Sequence, residues 1–251
     1  MGVGSGEMEL SEYARIADAE QRHWWYRSMP ALAHAVLGPR LRPGLRILDA
    51  GCGPGPNFDW LRPYGEVVGL DYSPEAIRLA RERHPDTEAV EGDLTELPFP
   101  DACFDLALEF TVLALVEDDQ RGVDELARVT RPGGAVLLLE PAIPRLRRDH
   151  DAVNGVRRRY RLDDLRAMAS RAGLRVRRAT HANSFLVAPA AALAIAHRAK
   201  PPGASAASDF ERDRLGQLFG SLAAAERRLI ARRDVPFGLS GLVVAEKPSS
   251  D

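Results

Sequence analysis

The chain has 251 residues, with 34 Lys+Arg against 36 Asp+Glu, a net charge of −2 and two cysteines. That balance excludes the overall basic field of a polyanion binder, and Cys52 and Cys103 stand too far apart to have metal-ligand spacing. The length is enough to bury a full core and predicts one domain carrying an insertion, while the cysteine usage and the lack of a secretory leader predict a reducing cytoplasm.

Taken in chain order, Met1 to Gly6 reads as a loose tail, and residues 7–40 read as a helical cap in which Met8, Leu10, Tyr13, Ile16 and Ala17 recur at helix spacing. Residues 41–182 alternate strands and helices, the pattern of a parallel sheet covered on both faces. Its strands are predicted near 45–50, 66–71, 87–91, 103–110, 135–140 and 174–181. The first runs into Ile47-Leu48-Asp49-Ala50-Gly51-Cys52-Gly53-Pro54-Gly55, a buried strand ending in a turn. Side chains at Gly51, Gly53 and Gly55 would block a close approach by a ligand, and glycine tolerates the positive φ of such turns. Cys52 is most simply a small filler. The second strand ends in Asp71, twenty residues after Gly51, where a carboxylate can accept both hydroxyls of a ribose. Ser73-Pro74-Glu75-Ala76 is a helix start with a capping hydroxyl, an N1 proline and an early acid. Gly92-Asp93-Leu94 then follows the third strand. Three acids at successive strand ends point to a ligand along one edge of the sheet.

These residues resemble the class I S-adenosylmethionine-dependent methyltransferases, and the glycine spacing G-x-G-x-G departs from the G-x-G-x-x-G of nicotinamide-binding folds. The resemblance implies an α/β Rossmann-like, doubly wound, mostly parallel seven-stranded sheet. It makes Gly92-Asp93-Leu94 the adenine loop, Phe104 to Leu108 the fourth strand, and Arg131-Pro132-Gly133-Gly134 the turn before the fifth. The implied cofactor is S-adenosylmethionine, with S-adenosylhomocysteine as product. The implied cofactor residues are Asp49, Gly51, Cys52, Gly53, Gly55, Asp71, Tyr72, Ser73, Gly92, Asp93, Leu94, Glu109 and Phe110.

Residues 183–238 are alanine- and arginine-rich and read as two helices, roughly 184–199 and 207–233, inserted before a last strand in 239–248. The organisation is thus a helical cap at 1–40, a core at 41–182 and 239–248, and a helical insertion at 183–238. The uncharged run from Phe185 to Ala196 is too short for a bilayer span, which needs roughly 20 residues. It is a buried cap helix by default, with a substrate tunnel, a dimer interface or a surface for a lipid-linked substrate as alternatives.

Charge is uneven along the chain. Residues 86–126 hold thirteen acids and one arginine, and residues 141–182 hold twelve arginines and four acids. Solvated helix faces are the plainer reading; an anionic substrate held by arginine forks is the sharper one. The early His23-Trp24-Trp25-Tyr26-Arg27 stretch and His150-Asp151 followed by Arg158-Arg159-Tyr160 resemble one bacterial small-molecule subfamily, as does Asn183. That resemblance makes Trp24, Trp25, Tyr26, Arg27, Asp151, Arg159, Tyr160 and Asn183 candidate substrate contacts. His150 is the first candidate general base, because histidine titrates near neutrality, and His23 is the second.

The stretch after the fourth strand, Thr111 to Val116, lacks the acid and the Glu-His pair found in related enzymes. The site therefore reads as poor in acid–base groups, without a metal, and suited to catalysis by proximity. The expected reaction is O-methylation of a small acceptor, anionic or aromatic, with no nucleic acid and no stable membrane insertion. The chain is a monomer or homodimer on this reading. The alternative is the same scaffold repurposed for other chemistry or for ligand binding.

Overall fold

The computed structural model describes residues 24–146, 151, 155–198 and 216–249. A seven-stranded sheet runs through its centre in the order β3-β2-β1-β4-β5-β7-β6. The strands are β1 (Leu45–Ala50), β2 (Gly65–Asp71), β3 (Glu88–Glu91), β4 (Phe104–Phe110), β5 (Thr130–Pro141), β6 (Arg175–Ala182) and β7 (Ser240–Glu246). All neighbours are parallel except β7, which runs antiparallel to both β5 and β6. The expected strand positions hold to within a residue or two, with one difference. The Arg131-Pro132-Gly133-Gly134 turn is taken into β5 as an irregularity, where pairing with β4 shifts register between Phe104 and Leu106 and Gly133 adopts φ +77.

Helices cover both faces because the central strands are apolar on both. One layer holds α1 (Trp24–Leu37), the short α2 (Phe58–Leu61), α3 (Pro74–Arg83) and α7 (Gly216–Ile230). These bury Leu32, Leu37, Phe58, Leu61, Ile77 and Ile230 against Ile47, Leu108 and Leu137. The other layer holds α4 (Asp119–Val129) and α5 (Leu162–Arg171), which bury Val123, Leu126, Leu165 and Met168 against Leu48, Ala107 and Leu138. Ser73 caps α3 by accepting from the Ala76 N–H at 3.3 Å, with Pro74 at the first helical position.

The inserted segment contains α6 (Val187–Arg198) and α7. Within the segment expected as a separate N-terminal cap, Met29 to Leu37 belongs to the core layer itself. Residues 1–23 and 199–215 lie outside the described residues.

Candidate functional site

At the carboxyl end of β1 the backbone turns through Gly51 (φ +78), Gly53 (φ +54) and Gly55 (φ +85). The N–H groups of Gly51 and Cys52 both donate to the Leu70 carbonyl, at 2.6 and 2.8 Å, which pins the turn to the end of β2. The glycines are needed for different reasons. A Cβ on Gly51 would lie 2.2 Å from Val112 Cγ2, and one on Gly55 would lie 2.9 Å from Phe58 and His84. A Cβ on Gly53 would meet nothing within 4 Å. Gly53 is therefore the open face of the turn, where a ligand can reach the backbone. Cys52 is buried and fills space beside Phe58 and Gly69, the filler its size suggested.

Asp71 stands beside that open face. Its Oδ2 accepts from the Gly53 N–H and its Oδ1 from the Ser73 N–H, both at 2.9 Å. Burial raises its pKa, and these backbone donors pull the other way. Each oxygen keeps a lone pair for a further donor such as a vicinal hydroxyl. Tyr72 follows with 65% of its surface exposed, a large ring left uncovered at the same edge. One strand further out, Asp93 Oδ1 accepts from the N–H and hydroxyl of Thr95 at 2.7 and 2.8 Å. The Gly92 N–H donates to the Asp71 carbonyl at 3.0 Å, and Leu94 is buried beneath the loop. An open glycine backbone, a carboxylate and an exposed ring along consecutive strand ends suit an adenosine with a charged tail.

Asp49 is placed differently from its neighbours. It is 1% exposed, and Asn57 Nδ2 donates to both its oxygens at 3.1–3.2 Å while Trp60 Nε1 donates to Asn57 Oδ1 at 3.0 Å. This chain of bonds holds the end of the glycine turn against α2. Sequence reasoning missed Asn57; its place two residues after Gly55 was the available signal.

Glu109 also differs from expectation. It is fully buried at the end of β4, on the same sheet face as Glu140 at the end of β5, likewise fully buried. Glu109 accepts from the Leu139 and Val112 N–H groups at 3.2 and 3.1 Å, and Glu140 Oε1 accepts from the Ala114 N–H at 3.3 Å. Glu109 is thus turned into the protein rather than toward the ligand edge. Burial pushes its pKa up to about 7, and burial beside Glu109 holds Glu140 well above the usual carboxylate range. This buried acid pair was not anticipated from the sequence, and it lies inside the protein rather than on the ligand edge. Phe110 is partly buried against the α1 layer, and Thr111 takes φ +63, rare for a β-branched residue.

Several candidate substrate contacts are engaged by partners within the protein. Arg159 forms a two-pronged pair with Asp151 at 2.6 and 2.8 Å, with both side chains under 10% exposed, and also donates to the Ala142 carbonyl. Asn183 is buried with φ +60 and donates from Nδ2 to Ser240 Oγ at 3.0 Å. Its backbone N–H and that of Ser184 donate to Glu226, an acid of α7 that sequence reasoning did not single out. Trp24 packs against Phe185 and Phe219 with ring centroids 5.8 and 5.7 Å apart, which ties α1 to the inserted helices. Side chains of Trp25, Tyr26 and Arg27 and the whole of His23 and His150 lie outside the described residues.

Tyr160 is buried, donates to Asp119 Oδ2 at 2.8 Å and lines a cavity of about 640 Å³ with Ile143, Arg145, Arg161, Arg166 and His181. The cavity opens beside the end of β5. Burial lowers the His181 pKa and keeps the ring neutral at physiological pH. Among the described residues no group of three or more His, Cys, Asp or Glu is placed to hold a metal ion, and no helix is long and apolar enough to cross a membrane.

Residues 48–138, which span the glycine turn, the Asp71 and Asp93 loops and most of β5, match the family described as a methyltransferase domain. The similarity is to the methyltransferases that use S-adenosylmethionine. The chain is 36% identical over 127 residues to a probable S-adenosylmethionine-dependent methyltransferase of Mycolicibacterium smegmatis, covering 49% of this chain and 47% of that protein. It is 39% identical over 94 residues to the malonyl-[acyl-carrier protein] O-methyltransferase of Pectobacterium atrosepticum, covering 37% of each. The chain thus spans about half or less of the curated relatives it matches. Among solved structures, a chain from a Haloferax volcanii complex of the Trm112 methyltransferase activator with a candidate methyltransferase superposes with a TM-score of 0.64. That match has 23% identity and covers 96% of both chains, so it shows the shared fold.

Proposed function

We propose that this protein transfers the methyl group of S-adenosylmethionine to a small acceptor, with an acidic or phenolic oxygen as the preferred receiving atom. The observation that carries the reading is the Asp71 carboxylate, fixed by the Gly53 and Ser73 N–H groups beside the open backbone of the glycine turn. Asp71 would hold the ribose hydroxyls, the Gly53 face the charged tail, and Tyr72 with the Asp93 loop the adenine. Bound there, the sulfonium supplies an already activated methyl group, so the protein's work is alignment and exclusion of water. No external base is needed for an acceptor that is anionic when it arrives, and His150, the base candidate from the sequence, is proposed to assist one that is not.

The cavity beside β5 is the acceptor chamber on this reading. Arg145, Arg161 and Arg166 outnumber Asp163 and Asp234 among its charged lining residues, and His181 is neutral. That balance favours an acceptor carrying one negative charge over a cationic amine. A relative named for methylating malonyl-[acyl-carrier protein] supports oxygen as the receiving atom. The helical cap, joined through Trp24, Phe185 and Phe219, is proposed to border this chamber.

The test is methyl release from labelled cofactor across a panel of small carboxylates and phenols, read with wild type, R145A and R166A. Turnover with an anionic acceptor, and a higher KM in either variant, is expected. Preference for neutral or cationic amines would overturn the acceptor assignment.

A further inference from the structure

Two fully buried acids meet at the edge where the cofactor turn lies. Glu109 and Glu140 are 0% exposed on one face of neighbouring strands. Among the described residues, Glu140 Oε2 is the single buried side-chain polar atom that no donor reaches. The Glu109 carboxyl lies within hydrogen-bonding reach of Glu140, and two carboxyls bond to each other only when a proton sits between them.

Among the described residues the surroundings give no other remedy for the charge. On the same face β1 contributes Ala50, β7 contributes Gly241, and α5 approaches with Leu162 and Leu165. Tyr160 faces Glu140 from the segment after Gly155, but its hydroxyl is given to Asp119. Of the cations of that segment, Arg157 is exposed, Arg158 pairs with Asp119 at 2.9 Å and Arg159 with Asp151 at 2.6 Å. Two bare anions in an apolar pocket repel each other, as in other carboxylate dyads.

The same two acids hold the segment after β4. Backbone N–H groups of Val112 and Ala114 donate into them, next to the strained Thr111. Val112 then packs on Gly51 so closely that no Cβ fits between them. A continuous set of contacts therefore runs from the acid pair through residues 111–114 to the glycine turn.

We propose that Glu109 and Glu140 share one proton, and that this proton latches residues 111–114 onto the glycine turn so that cofactor affinity is proton-linked. When the proton leaves to solvent, the two anions separate, the Val112 and Ala114 bonds loosen and Val112 lifts from Gly51. The second half of this proposal rests on reading the glycine turn as the cofactor cradle; the first half does not.

Two measurements separate them. Hydrogen exchange of the 110–116 backbone is followed from pH 6 to 9, corrected for intrinsic rates, in wild type, E140Q and E109Q. Glutamine keeps the size and the hydrogen bond but cannot ionise. Wild-type protection is expected to fall by up to ten-fold per pH unit above the pair's titration, as one released proton dictates, and both variants should give flat profiles. A flat wild-type profile, or an equally steep one in the variants, would overturn the shared proton. Calorimetry of S-adenosylhomocysteine over the same range should show wild-type affinity falling in step and the variants unchanged. Affinity that ignores pH while protection falls would overturn the link to the cofactor. Absence of binding at every pH would instead overturn the cofactor reading itself, with the exchange result still standing.

Discussion

Gly51→Ala tests how tightly the turn is built. The added Cβ would sit 2.2 Å from Val112 Cγ2, 3.0 Å from Cγ1 and 3.1 Å from Cβ, at a residue with φ +78. The backbone strain costs about 1–2 kcal/mol for a residue with a side chain, and the forced repacking a further 1–3 kcal/mol or so. Together these predict a loss of roughly 2–5 kcal/mol. At about 2–4 °C per kcal/mol for a domain of this size, the melting temperature should drop by roughly 4–20 °C. The two causes can be divided, because Val112→Ala removes the colliding methyl groups and leaves the backbone strain. In a double-mutant cycle read by denaturant unfolding, the pair should show a favourable coupling of about 1–3 kcal/mol. An additive cycle, or a G51A protein as stable as wild type, would refute the packing of Val112 on the turn.

Other outcomes follow from the same geometry. Arg159→Ala leaves the buried Asp151 carboxylate without its two-pronged partner and should cost about 3–5 kcal/mol in denaturant unfolding, with much of that returned by replacing both residues with apolar ones. Tyr72→Ala should weaken S-adenosylhomocysteine binding while shifting the melting temperature by under about 1 °C, since the ring is mostly exposed. The buried acid pair sets a pH dependence of definite sign. Its pKa values are raised above those of the unfolded chain, so the folded state holds a proton that the unfolded state releases, and stability falls as pH rises through about 7. The stability of E140Q relative to wild type should therefore grow between pH 5 and 8; a difference that shrinks with pH would contradict the buried shared proton. His84 and His181 act in the opposite sense, because burial lowers their pKa values and their contribution is lost as pH drops below about 6.5.

Strand positions and the glycine turn were legible in the sequence because both rest on local signals. An apolar run stopped by glycines can only be a buried strand and a turn, and acids at regular intervals mark its neighbours. What escaped depends on pairs distant in sequence. Asp151 and Arg159 read as substrate contacts until their mutual pairing was seen, and Asn183 until Ser240 and Glu226 were placed beside it. The Glu109–Glu140 pair forms because strands 31 residues apart lie side by side with both acids on one face, a coincidence no local pattern announces. Asp49, expected as a cofactor residue, receives Asn57 on both its oxygens and so also braces the turn against α2. Trp24 packs between α1 and the inserted helices, through ring partners far away in sequence.

The central claim is that the edge formed by the glycine turn and Asp71 holds S-adenosylmethionine. Calorimetry of S-adenosylhomocysteine against wild type and Asp71→Ala tests it most directly. Loss of hydrogen bonds to a charged acceptor should weaken binding by about 1.5–3 kcal/mol, roughly ten-fold to a hundred-fold. Micromolar binding by wild type with that loss in the variant is the predicted result; a folded wild type that does not bind, or a variant that binds equally well, would contradict it.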